Sequence, residues 1–349
     1  MRTEHIEAEI LQEALAKLRE NTGLRVDAQH TFHGHDARIT IGLQDVEWHF
    51  AAEVKKTLTR ATLGFVTPQL RDYLTNVLLV TRYVTPQIAE TLREMNIPFI
   101  DTAGNAYINE PPLLILIKGN RPARTFAKGR TTRAFAPTGL QVVYTLLCNP
   151  VLEEAPFRKI AERAKVALGT VGWVMRDLKE MGYLVDMGRR GRRLVRKKKL
   201  LERWVTEYPQ QLRRKNFIGR YRVADPDWWK DANLRNLQAF WGGEVAANKL
   251  TKYLKPQDIT IYAIKPVNKL ILKNKMQKDP KGNIELLEVF WRTMRQQDMF
   301  RRTEPYPEEP DLVHPILIYA DLMATGDPRN IETAEIIYER ELDRFIRED

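Results

Sequence analysis

The chain has 349 residues, 43% of them hydrophobic, and a formal net charge of +11; that length predicts two or three domains, each with its own core. No window approaches the ~18 apolar residues of a membrane span, and the charged first residues lack the apolar core of a secretory signal, so a cytoplasmic protein without a membrane partner is expected. Cys148 is the single cysteine, which excludes an internal disulfide and a cysteine-built zinc site and fits a reducing compartment; the six histidines show no metal-ligand spacing.

In the first 120 residues, Ile6, Ile10, Leu11, Ala14, Leu15 and Leu18 recur at helical spacing. Three β-like runs follow, at 25–32, 37–43 and 46–54, with Gly34 and Gln44-Asp45 at the turns. A mixed stretch over 58–74 is expected to be helical in part. Residues 77–84 read as a buried strand, 86–95 as a helix opened by Pro86, and 98–101, 107–108 and 113–117 as further strands. A meander followed by alternating helix and strand describes an α/β layer fold.

Asp36 heads the second of these strands, and Glu53 and Lys55 close the third. Residues two apart on a strand point the same way. Two carboxylates and a lysine at one sheet edge are the groups that hold Mg²⁺ and activate water. Element order and motif together resemble the PD-(D/E)xK nuclease fold. The bare spacing is common by chance, and the expectation is a non-catalytic relative: no cofactor, with Mg²⁺ only if Asp36, Glu53 and Lys55 form a working site. Glu9 and Glu13 on the first helix are spare carboxylates that nothing in the sequence directs there.

The middle of the chain, 121–222, opens with a Pro-, Gly- and Arg-rich linker to Pro137 and an apolar helix over 138–148, where Cys148 reads as core. Phe157, Ile160, Ala161 and Ala164 then mark a short amphipathic helix. Ala167-Leu168-Gly169 is expected to break it, and Thr170 to cap a second helix with Val171, Val174, Leu178 and Met181 inward. Gly182 ends that helix, and Leu184-Val185, a Gly-Arg-Arg-Gly turn and Leu194-Val195 read as a hairpin. Helix, turn, helix and hairpin make a winged helix-turn-helix, whose second helix enters the major groove.

Charge points the same way. Residues 118–222 hold 26 basic and 8 acidic side chains, a balance of +18 that leaves −7 for the rest of the chain. Eight of the eleven residues at 189–199 are Arg or Lys, the electrostatic footprint of nucleic-acid binding. The candidate DNA contacts are Thr170, Trp173, Arg176 and Lys179 on the second helix, with Arg189, Arg190, Arg192, Arg193, Arg196 and Lys197 on the wing. Arg176 has the bidentate donors that read guanine. Trp173 is more often a packing residue than a base contact, Thr170 is as much a cap or phosphate contact as a base reader, and the wing arginines position more than they read.

Beyond Leu200–Leu212, a helix with Trp204 and Tyr208, the segment 223–349 loses the charge excess. Trp241-Gly242-Gly243-Glu244 reads as a tight turn into a small-residue helix, 259–264 as a strand, 286–294 and 314–323 as helices, and 331–345 as a last amphipathic helix. Asp321, Asp327, Arg329 and Glu332 lie close in sequence; an ion-paired turn capping the last helix is favoured over a ligand site.

Several phrases then carry a family resemblance: Val80-Thr81-Arg82-Tyr83-Val84, Ile100-Asp101-Thr102-Ala103-Gly104-Asn105-Ala106-Tyr107, Trp241 to Ala247, His314-Pro315, Tyr319 to Leu322, and Asp327 to Asn330. With the helix-turn-helix between them they resemble the AbiEi-type transcriptional regulators and antitoxins of type IV toxin–antitoxin systems, over nearly the full chain. The resemblance implies a bacterial DNA-binding repressor, often encoded beside a nucleotidyltransferase-like toxin; the long segment ahead of the winged helix departs from the family's usual pattern. The fold class expected is α/β and α+β multidomain: a restriction-endonuclease-like α/β domain over 1–120, a winged helix-turn-helix over 121–222 and a C-terminal α/β interaction domain over 223–349. The function expected is a sequence-specific regulator on double-stranded DNA. The rivals are a Mg²⁺-dependent nuclease targeted by the winged helix and a toxin-neutralising protein with secondary DNA binding.

Overall fold

The computed structural model describes residues 2–30, 37–56, 58, 63, 76–121, 132–188, 191–291 and 311–346. It is a mixed α/β chain in two compact units, Met1–Gly129 and Arg130–Asp349. The boundary expected near 222 falls inside the second unit.

In the first unit, α1 (Arg2–Thr22) is followed by seven strands that lie in chain order in one sheet. They are β1 (Arg25–His30), β2 (Ala37–Leu43), β3 (Val46–Lys55), β4 (Val77–Thr81), β5 (Phe99–Asp101), β6 (Ala106–Glu110) and β7 (Leu113–Ile117). β1–β2–β3 is an antiparallel meander, β3–β4 and β4–β5 are parallel, and β5–β6–β7 is antiparallel again. A parallel pair needs a crossover, and α2 (Pro86–Glu94) supplies the one between β4 and β5. Most of the stretch 58–74, between β3 and β4, lies outside the described residues.

Side-chain alternation gives the middle of this sheet two buried faces. Ile10, Leu11, Leu15 and Leu18 of α1 pack with Ile39, Phe50, Val54, Leu78 and Val80 on one face. Leu79, between those last two, turns to the other face with Ile88 and Leu92 of α2 and with Phe99. Strand β4 therefore reads as a continuous apolar run, as a strand covered on both sides must. The Asp101 to Asn105 phrase makes the turn from β5 to β6. The buried Asp101 carboxylate accepts N–H bonds from Val84 (2.9 Å) and Asn105 (2.8 Å) and one from the Asn105 amide (2.8 Å). The phrase is thus a self-satisfied turn.

The second unit begins with α3 (Pro137–Cys148), α4 (Phe157–Ala164) and α5 (Leu168–Glu180). A hairpin of β8 (Leu184–Asp186) and β9 (Arg192–Leu194) and then α6 (Lys197–Tyr208) follow. After a wider turn, Pro209–Arg213, the chain enters a five-stranded sheet ordered β11-β12-β14-β10-β13. Its strands are β10 (Phe217–Arg222), β11 (Ala239–Gly242), β12 (Ile259–Ala263), β13 (Gln277–Lys278) and β14 (Ile284–Glu288). The longer helices around it are α7 (Gly243–Thr251), α8 (Asn268–Lys273), α9 (Pro315–Thr325) and α10 (Pro328–Ile337).

One expected helix is a strand. Residues 286–294 were expected to be helical, but Ile284–Glu288 is β14, parallel to β12 on one side and antiparallel to β10 on the other. A short apolar run carries no period that separates a buried strand from a helix; here pairing on both edges decides. Residues 292–294 lie outside the described residues. Cys148 ends α3 half-buried rather than in the core.

Candidate nucleic-acid interface

Helices α4 and α5 are joined differently from their sequence signals. Gly169 and Thr170 sit inside α5, whose N-cap residue is Ala167 with no side-chain cap. Lys165 makes the turn, in the left-handed region at φ 52°. Thr170 is a half-buried first-turn residue, so its expected capping role falls away. The C-terminal stop is as expected: Gly182 has φ +73°, and its N–H donates to the Lys179 carbonyl (3.1 Å).

Helix α5 buries Val171, Val174, Met175 and Leu178, which leaves Trp173, Arg176 and Lys179 exposed on the other side. Trp173 is 43% exposed. The Arg133 guanidinium lies 4.0 Å from its ring centroid and that of Arg176 4.4 Å. Lys179 Nζ is 3.6 Å from the Asp186 carboxylate, an exposed pair of little energetic weight.

The basic hairpin divides into two kinds of residue. Arg192 donates to the Ala155 carbonyl (2.6 Å) and lies 4.6 Å over the Phe157 ring. Lys197 Nζ is 3.3 Å from buried Glu153, whose other oxygen accepts the Leu194 N–H (2.8 Å). These two cations tie the hairpin to the helices. Arg193 and Arg196 are exposed. Arg196 precedes α6 in the left-handed region, at φ 52°. Arg189 and Arg190 lie outside the described residues.

In the first unit, Lys55 Nζ lies 2.5 Å from Glu53 Oε1, so the shared direction expected on β3 is realised as an ion pair. Asp36 lies outside the described residues, and Glu9 and Glu13 are exposed on α1. Among the described residues no helix is long and apolar enough to cross a membrane.

The ionic residues near the C-terminus separate. Asp327 caps α10, accepting the Arg329 N–H (2.9 Å). Glu332 accepts from the Tyr253 hydroxyl (2.8 Å). Asp321 belongs elsewhere: it is 4% exposed and accepts from Tyr208 (3.0 Å), Tyr262 (2.9 Å) and Arg213 Nε (3.1 Å). Burial pushes its carboxyl above the usual carboxylate range, opposed by Arg213 and the tyrosine hydroxyls. Burial and the neighbouring Asp321 push both tyrosines well above theirs. Arg213 also pairs with Glu285 at 2.5 Å. One cluster thus joins α6 and the turn after it to β12, β14 and α9.

The Trp-Gly-Gly-Glu phrase follows from this packing. A Cβ at Gly242 would lie 2.6 Å from the Tyr262 ring and 3.0 Å from Asp321 Oδ2, and one at Gly243, where φ is +49°, 2.7 Å from Thr260 Oγ1. Only glycine lets the backbone come this close. Buried Glu244 accepts from the Gln257 N–H (2.6 Å) and the Asn330 amide (2.9 Å). The phrases Trp241 to Ala247 and Asp327 to Asn330 therefore meet in space. Sequence reasoning placed Arg133 in a linker, named Tyr208 only as a helix residue beside Trp204, and did not single out Tyr262 or Arg213; basic charge was the only signal for Arg133.

Comparison with known proteins gives one family. No curated protein matches the chain, and no solved structure matches it. The family model matches residues 193–343, which begin within β9, and leaves the first unit and helices α3, α4 and α5 outside it. The resemblance carried by Trp241 to Ala247, His314-Pro315, Tyr319 to Leu322 and Asp327 to Asn330 is borne out over that narrower span: residues 193–343 match the family of AbiEi antitoxins, transcriptional regulators of type IV toxin–antitoxin systems.

Proposed function

We propose that the protein is a sequence-specific DNA-binding regulator of the type IV antitoxin kind that represses its own operon in the cytoplasm. Helices α4 and α5 act as a helix-turn-helix, and β8–β9 as its wing. A nucleotidyltransferase-like toxin is the partner for the C-terminal sheet and helices, and no cofactor is required. One observation carries the reading: α5 hides its apolar side and presents Trp173, Arg176 and Lys179 beside a basic hairpin. The family match downstream supports the same assignment.

Phosphate contacts set the salt dependence of such binding. Replacing Arg189, Arg190, Arg192 and Arg193 together by Ala is expected to weaken binding to any duplex. The slope of log affinity against log salt is expected to fall by about 0.9 for each phosphate that is no longer neutralised. Because Arg192 is held by Ala155 and Phe157, its share is expected to appear as hairpin stability instead. Equal slopes for the two proteins would remove the wing from the interface.

The first unit is proposed to be a non-catalytic relative of the PD-(D/E)xK fold. Glu53, the carboxylate a metal would need, is paired with Lys55. No cleavage of plasmid or branched DNA is expected with Mg²⁺ or Mn²⁺ at stoichiometric protein. Metal-dependent cutting that disappears in Glu53→Ala would establish the nuclease instead, since a contaminating nuclease would survive that change.

A further inference from the structure

An exposed tryptophan leaves a large apolar ring in water. Trp173 has two cations on its ring, which is the arrangement to explain. Arg176 follows three residues later on the same helix, within the reach of neighbouring side chains on one face. Arg133 arrives from the short turn Arg133–Phe135 that precedes α3. That turn is built in place. Ala134 and Phe135 are fully buried, and the Ala134 N–H donates to Asp177 Oδ2 of α5 (3.0 Å). The Arg203 guanidinium covers Phe135 at 4.0 Å. A Cβ at Gly139 would lie 1.9 Å from the Arg133 carbonyl oxygen, so that glycine lets α3 close onto the turn.

Both guanidiniums are exposed. Among the described residues neither has a carboxylate within ion-pair distance. Two like charges repel, and the negative face of an indole offsets part of that repulsion. A surface that gathers two planar cations with no carboxylate partner among the described residues, beside a basic hairpin, suits a polyanion with regularly spaced phosphates.

The geometry points to Trp173 as a positioning residue for DNA: its ring holds Arg133 and Arg176 together, so that Arg133 meets a backbone phosphate and Arg176 a base edge. This rests on the DNA-binding reading above and adds Arg133 to the interface. Trp173 acts here through the two arginines.

The test has one readout without DNA and one with it. In NMR spectra of the free full-length chain, ring current is expected to shift the Nε–H signals of Arg133 and Arg176, and Trp173→Ala to return them to ordinary positions. Affinities are then measured on a duplex selected from a random pool and on a random duplex. Arg133→Ala is expected to weaken both equally and to lower the salt slope by about one. Arg176→Ala is expected to cost about 10-fold on the selected duplex and much less on the random one. Trp173→Ala is expected to lose about 5-fold on the selected duplex, in keeping with exposed cation–π energies, with Trp173→Phe recovering most of it. The Trp173→Ala, Arg133→Ala double variant is expected to lose less than the product of the single losses. Unshifted arginine signals, or losses that multiply, would overturn the positioning role while the DNA reading stands. A wild-type chain that binds no duplex at low salt would overturn both.

Discussion

Asp321→Ala is expected to destabilise the second unit by about 3–5 kcal/mol, the cost of removing one partner from a buried charge cluster. The carboxylate accepts from two tyrosine hydroxyls, from Arg213 Nε and from the Gly243 N–H (3.3 Å). Truncation removes the acceptor these groups share: the two tyrosine hydroxyls keep only their bond to each other, and Arg213 keeps only Glu285. Relief of the carboxylate's desolvation cost offsets only part of this, because buried donors that lose an acceptor keep their own desolvation cost. Asp321→Asn keeps the volume and one acceptor oxygen and is expected to cost about half as much. Urea unfolding monitored by far-ultraviolet circular dichroism and by fluorescence measures both. A midpoint for Asp321→Ala that corresponds to less than about 1 kcal/mol of destabilisation would show the cluster to be incidental to stability.

The cluster was not legible in the sequence because its members are far apart along the chain. Tyr208 and Tyr262 lie 113 and 59 positions from Asp321. Periodicity reports which side of one element is buried and says nothing about which elements meet. Sequence proximity instead placed Asp321 with Asp327, Arg329 and Glu332. Of that group, Asp327 and Arg329 form the capping turn that local rules describe. The Gly-Gly pair was read correctly as a tight turn, but its cause, packing against Tyr262 and Thr260, is tertiary.

The meander β1–β3 was legible because alternation in a half-covered strand is a local pattern. The turn into α5 was not, because Lys165 adopts the left-handed conformation with no glycine to announce it. The Ala167-Leu168-Gly169 signal therefore pointed too far along the chain. The β8–β9 hairpin was legible as charge, but charge does not separate cations that face solvent from those that hold the fold. Arg192 and Lys197 are of the second kind, and the acceptors that decide this, Ala155 and Glu153, lie well upstream.

Stability is expected to fall as pH drops from about 6.5 toward 4, and His314 is the residue expected to cause it. It sits at the N-cap of α9, 5% exposed, with Nδ1 accepting the Ile316 N–H at 3.2 Å. Burial pushes its pKa from 6.5 down to about 4. The sign follows from where the proton goes. In the unfolded chain His314 takes a proton below about 6.5, whereas in the fold it stays neutral to about 4. Between those values the unfolded state binds more protons, so acidification favours unfolding. The full effect is about 3 kcal/mol, from roughly 1.4 kcal/mol per unit of pKa difference. Asp101 and Asp321, both raised by burial, act in the opposite sense just above 3.8, where the fold holds a proton that the unfolded chain has released. Subtracting a His314→Asn profile separates these contributions, because asparagine can cap the helix without titrating. The wild-type curve is expected to fall more steeply than the variant's across that window, by about one proton's worth of slope at its centre. Parallel profiles between pH 4 and 6.5 would mean that His314 carries its proton in the folded protein.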